Sequence, residues 1–246
     1  MDSMFGYTFL QSLAPKQRGN FNLLIDADSD FLVEKVYSNE NGSFLMQVLD
    51  TTTSYQWFSD RVMMENFFGT AEYPNELPTP ILLKRGTQLN IDLENLWIDP
   101  LDDPMNPIIP NNIELVFEGY RVQDDIPVSK KRYFAYVMNV NTKAQNRTIA
   151  TMSTNSDTDF VANRYIAWNS LPYSQLFKLS LSSLAARQMY SQFTTVENAF
   201  GTVLRPNNLR HPLTIPKNSV LKYEISNNST LDQSLQLVLD GMKVWS

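Results

Sequence analysis

The chain of 246 residues contains no cysteine and a single histidine, His211. The first absence excludes disulfide frameworks, cysteine nucleophiles, zinc fingers and iron–sulfur clusters. The second excludes multi-histidine metal centres, including the metal sites of cupin-type enzymes, and leaves a Ser–His–Asp triad one candidate base. Charge is scarce as well, at 19% of residues, where about 25% is usual in soluble proteins. The 26 acidic and 20 basic residues sum to −6, the wrong sign for coating nucleic acid by phosphate neutralisation, so no direct nucleic-acid binding is expected. No apolar run approaches the roughly 18 residues of a membrane-spanning helix. The opening MDSMFGYTFLQSLAPKQRGN has neither the basic n-region nor the long apolar stretch of a secretory signal, which fits synthesis in a cytoplasm. The motifs G-x-x-x-x-G-K-[ST], G-x-G-x-x-G and G-x-S-x-G are all missing. The expectation is therefore no catalytic residue, no cofactor and no enzymatic activity.

What remains is a globular composition: 43% hydrophobic and 12% aromatic residues. A weakly charged surface suggests that partners cover part of it. The dominant pattern is an internal repeat. ENFFGT at 65–70 returns as ENAFGT at 197–202. The matched residues run Glu65, Asn66, Phe68 and Gly69 against Glu197, Asn198, Phe200 and Gly201. Pro74 and Pro80 then match Pro206 and Pro212, and Asn95 matches Asn227. The first copy next carries extra residues within LWIDPLDDPMNPIIPNN. The match resumes in IELVFEGYRV (113–122) against LQLVLDGMKV (235–244), with Gly119 opposite Gly241. Several ordered matches with one loop-sized insertion read as duplication.

Each copy reads as β. Period-two alternation runs through DFLVEKVY, FLMQVL and TQLNIDLENL in the first, and through SVLKYEIS in the second. Prolines, 13 against 8 glycines, suit long fixed loops and edge segments. Two stretches, 52–67 and 182–193, look partly helical; both precede the ENxFGT motif and read as a shared short helix or a strand–helix edge. The expected fold is all-β, with two tandem jelly-roll β-sandwiches at 20–122 and 133–246, a linker at 123–132 and an N-terminal arm at 1–19. The arm is too apolar to be a free tail, with Phe5, Tyr7, Phe9, Leu10 and Leu13. It packs either on its own sandwiches or on a neighbour. The shared motif reads as fold-making. Its glycines permit tight backbone turns or close approach, and Phe68 and Phe200 anchor a loop. Asn95 and Asn227 end strands, tolerating left-handed geometry and bonding nearby backbone. Gly119 and Gly241 mark a bulge or close approach.

The segments 80–95 with 113–122, and 212–227 with 235–244, share a pattern: Pro, a turn, an alternating strand ending in Asn, a gap, then an apolar strand with Gly and a basic residue. It resembles the C-terminal strands of viral jelly rolls. In architecture the chain resembles the double jelly-roll major capsid proteins of tailless icosahedral phages and related viruses. That resemblance implies a virion protein made in the host cytoplasm. It also implies self-assembly into pseudo-hexagonal trimers that tile an icosahedral shell, contact with other virion proteins, and an arm facing an inner layer or membrane, with Lys16 and Arg18 nearby. Open alternatives are a minor particle component on the same fold (head–tail connector, decoration, penton or spike protein) and, in another class, a carbohydrate-binding tandem β-sandwich with Trp57, Trp168, Tyr165 and Tyr173 on its face.

The other constellations are weak. Asp26, Asp28 and Asp30 resemble the start of a calcium loop, but Phe31 and Tyr37 stand where an EF-hand needs Gly and Glu, so only a looser metal site is open. Asp102 and Asp103 lie in the insertion. His211 faces Thr79 in the other copy and reads as a loop residue. Lys130, Lys131 and Arg132 read as a solvated hinge.

Overall fold

A computed structural model describes residues 3–39, 43–96, 111–170, 175–181, 187–188 and 192–245. The chain divides into two compact units, Met1–Ser129 and Lys130–Ser246.

The first unit contains β1 (Ser3–Leu13), β2 (Arg18–Leu24), β3 (Asp30–Ser38), β4 (Phe44–Asp50), β5 (Tyr55–Gln56), β6 (Val62–Met63), β7 (Gly69–Thr70), β8 (Asn75–Leu83), β9 (Gln88–Asn95) and β10 (Asn111–Val122). One sheet runs β1-β10-β3 with β8 beyond β3, and the other runs β2-β9-β4 with β5 and β6 beyond β4. The alternating stretches produce this directly: β4 and β9 bury every second residue, because successive side chains on a strand point to opposite faces. Phe31, Val33, Leu115 and Phe117 from one sheet, and Met46, Val48, Ile91 and Leu93 from the other, form the core, with Trp57 and Phe67 among them.

The second unit contains β11 (Lys131–Thr142), β12 (Arg147–Ser153), β13 (Asp159–Asn169), β14 (Gln175–Leu181), β15 (Arg187–Gln188), β16 (Thr194–Thr195), the short helix α1 (Val196–Phe200), β17 (Gly201–Thr202), β18 (Arg205–Ile215), β19 (Val220–Asn227) and β20 (Gln233–Val244). Its sheets run β11-β20-β13-β18 and β12-β19-β14. The strand order thus matches the first unit. In each, the first strand pairs with the last, and consecutive long strands sit in opposite sheets, which is the double-sheet jelly roll.

Two expectations need correcting. Residues 3–13 are no arm: they pair with β10 along their whole length, from Ser3 opposite Arg121 to Leu13 opposite Asn111. An alternating apolar strand beside a sheet edge finds backbone partners there. The basic cluster is no hinge, since Lys131 and Arg132 open β11 and pair with Val244 and Lys243. Of the two readings of 52–67 the strand–helix edge is the one observed: β6 runs straight into one 3₁₀ turn, Met64–Asn66, and turns and short strands take up the rest. The helical stretch expected at 182–193 falls largely outside the described residues, and the described helix comes later, at Val196–Phe200. The insertion, with Asp102 and Asp103, also lies outside the described residues apart from its ends.

The prolines explain where pairing stops. Pro78 and Pro80 fall where β8 leaves its ladder with β3, between Glu76 and Ile81. Pro212 falls in the corresponding gap of β18, between Asn208 and Leu213. Both lie on outer strands, where a missing N–H costs least.

Candidate functional site

The repeat residues make the same kinds of contact in both units. Gly119 and Gly241 face a kink in the neighbouring strand: an added Cβ would lie 1.9 Å from the Leu32 carbonyl oxygen and 2.0 Å from that of Val161. Gly69 and Gly201 lie equally close to the carbonyls of Tyr73 and Arg205, and Gly201 also has a positive φ of 74°. Asn75 and Asn207, just after Pro74 and Pro206, donate their amides to the carbonyls of Phe67 and Ala199. Asn95 donates to the Leu13 carbonyl at 3.0 Å, and Asn227 to those of Lys143 at 3.1 Å and Leu231 at 2.8 Å. Neither asparagine is left-handed. Among the described non-glycine residues that geometry belongs to the turn residues Lys16, Ser54, Gln145 and Asn218. Phe68 packs 5.6 Å from Phe117, and Phe200 packs 5.2 Å from Tyr165. Glu65 and Glu197 reach Ser43 and Asn169. Asn66 is buried while Asn198 is exposed, so the shared letters do not share an environment.

A further set lies in the segment first taken as an arm. The Tyr7 hydroxyl accepts from the Asp26 amide at 3.0 Å, and its ring stands 4.9 Å from both Phe5 and Phe31. The Tyr136 hydroxyl accepts from the Asn155 amide at 2.9 Å, its ring 5.0 Å from Phe134 and 4.8 Å from Phe160. The Arg121 guanidinium covers Phe5 at 3.6 Å, and the Lys243 ammonium covers Phe134 at 3.8 Å. Burial raises the pKa of both tyrosines and lowers that of Lys243. The sequence signal, Phe-x-Tyr at 5–7 and 134–136, is too short a word to stand out.

Asp26, Asp28 and Asp30 do not converge. Asp26 pairs with Arg121 and Asp28 accepts from Ser29. Asp30 is wholly buried, held by Lys84 at 2.6 Å and by the backbone amides of Arg85 and Ile126. Burial alone would raise its pKa, but Lys84 and the two amides outweigh it and hold the carboxyl down at about 2. Among the described residues no three His, Asp or Glu side chains form a group able to hold a metal. His211 is exposed on β18. Trp57 and Tyr165 are core residues, not parts of a sugar-binding face; Tyr173 lies outside the described residues.

The clearest difference between the units is on the outward side of the first-strand sheet. In the first unit this side carries Met4, Gly6, Thr8 and Leu10 on β1, Glu114, Val116, Glu118 and Tyr120 on β10, and Lys35 and Tyr37 on β3. Met4 and Leu10 are 66% and 63% exposed. Lys35 reaches Glu118 at 3.9 Å, and Tyr37 donates to it at 3.2 Å. A shallow hollow of about 30 Å³ lies among Met4, Glu34, Lys35, Glu118 and Tyr120, room for one water. In the second unit eight of the ten matching positions, Tyr133, Ala135, Val137, Gln236, Val238, Asp240, Arg164 and Ile166, are buried, while Asn139, matching Leu10, is exposed and Met242, matching Tyr120, is half-buried. The Arg164 guanidinium pairs with Asp240, whose pKa burial nevertheless raises. A sheet covered on both faces needs continuous apolar runs, as YFAYVM and LQLVL provide.

No protein-family model matches the sequence, and no curated protein does. Among solved structures the chain is similar to the STIV MCP, an archaeal virus major capsid protein, with 10% identity and a TM-score of 0.50, covering 99% of this chain and 97% of that one. It also matches a protein described under the triple jelly roll fold and turret assembly of an archaeal virus (11% identity, TM-score 0.31, 96% and 59% covered). A peptide-N(4)-(N-acetyl-β-D-glucosaminyl) asparagine amidase matches at 9% identity and TM-score 0.36, with 97% and 96% covered. The last two scores are too low to bear on the fold. The first, spanning both chains almost end to end, is a likeness of fold.

Proposed function

We propose that this chain is a virion structural protein, the major capsid subunit of a double jelly-roll shell, acting by assembly and not by catalysis. The observation that carries the reading is one strand order found in both units, with the same tyrosine, asparagine, glycine and cation–aromatic contacts in each. Such a correspondence is the mark of a scaffold written twice, over 3–122 and 131–245. Fold likeness to the STIV MCP along the whole of both chains supports the same reading. Three copies then supply six sandwiches for a pseudo-hexagonal block, and like copies bury their side surfaces against one another. In this reading the protein is made in the host cytoplasm and resides in the virion beside other particle proteins.

The test is purification of particles and measurement of this chain's copy number by quantitative mass spectrometry. Hundreds of copies per particle are expected of a shell subunit. Tens of copies would move it to a vertex or neck component. Absence from particles would end the reading.

A further inference from the structure

We infer that the outward face of the first unit's β1-β10-β3 sheet receives a second copy of this chain, which docks through the outward face of its β12 and β19 strands; this rests on the assembly role proposed above and gives it an interface. The first ground is the contrast between corresponding positions. Ala135, Val137 and Asp240 are covered in the second unit, whereas Gly6 and Thr8 are exposed and Glu118 is half-buried in the first. One scaffold, used twice, has this face closed once and open once. The open face is also flat in its middle, where Gly6 and Thr8 stand, and apolar at Met4, Leu10 and Tyr120.

The second ground is charge. Among the described residues, Glu34, Glu114 and Glu118 share the open face with one cation, Lys35. On the outward side of β12 and β19, Arg147 and Lys222 share one carboxylate, Glu224. Ile149 and Val220 lie there too, 57% and 36% exposed. An acidic face with apolar side chains thus has, on the same chain, a basic face with apolar side chains. Opposite potentials steer and register an encounter, while the apolar contacts hold it. The two faces differ, so the contact is heterologous and closes into a ring or propagates. Three copies in a ring give the block proposed above.

The experiment is sedimentation velocity on the full chain, with thermal unfolding to show that each variant folds. Wild-type chain is expected to self-associate, more weakly at high salt. Glu114→Lys, Glu118→Lys and Lys222→Glu should each weaken association about tenfold or more, and Ile149→Ser should weaken it without altering charge. The double variant Glu118→Lys/Lys222→Glu should recover most of the loss. If folded Glu114→Lys and Lys222→Glu associate as wild type does, or if the double variant recovers nothing, this interface is wrong and the assembly role stands. If wild-type chain never associates at any concentration, the assembly role fails and the interface with it.

Discussion

At Gly119 and Gly241 a methyl group has nowhere to go. The obstruction is a carbonyl oxygen of the adjacent strand, which cannot swing aside as a flexible side chain would. Gly119→Ala and Gly241→Ala should each cost about 3 kcal/mol, the upper end of the overpacking range, measured by urea unfolding. Gly86→Ala is a useful contrast. Its φ is 71° but its surroundings are empty, so only backbone strain opposes the change, about 1 kcal/mol. Asp30 makes a pH prediction. Its folded pKa, about 2, lies below the ordinary 3.8, so the unfolded chain takes up the proton first as the pH falls. The stabilisation is complete above pH 3.8 and is lost as the pH drops through about 2. Its size is about 2 kcal/mol. Asp30→Asn should remove that part of the acid dependence while lowering stability at neutral pH, as read from unfolding curves across the window.

At the scale of elements, β1 decides between an appendage and a wall of the sandwich. Its 11 residues pair with β10, and Tyr7, Phe9 and Leu13 face the core. Deleting residues 1–13 would bare the β10 edge and open the first core to water. The expected outcome is loss of cooperative unfolding in the first unit, read as a lost or broadened calorimetric transition. A dispensable tail would leave the transition unchanged. The strand kinks at Val33–Lys35 and Ala162–Arg164 act with the prolines of β8 and β18. Each bends the sheet at the same place, where a glycine of the central strand allows the backbones to close up.

Across the whole molecule, correspondence of scaffold does not bring equality of surface. Val137 and Thr8 hold matching places on the first strand of each unit, but only Val137 is covered. Val137→Asp buries an unpaired charge and should cost about 3 kcal/mol or more, whereas Thr8→Asp should stay within about 0.5 kcal/mol. Chemical denaturation of dilute protein compares them. Equal costs would mean that the two faces are not differently used.

The sequence alone determined that the chain is all-β and that its second half echoes its first. Both follow from local physics: period-two alternation, prolines where ladders end, and glycines where backbones meet leave marks at fixed spacing. It did not reveal β1 as a strand, because an alternating apolar segment is the same whether its backbone pairs within the unit or elsewhere. Only the partner, about a hundred residues away, decides. Nor did it separate Asn66 from Asn198, since identical letters acquire their burial from what packs over them. The parting of Asp26 and Asp30 onto separate partners was also a tertiary decision, because Arg121 and Lys84 are distant in the chain and a carboxylate goes to the cation that folding brings within reach.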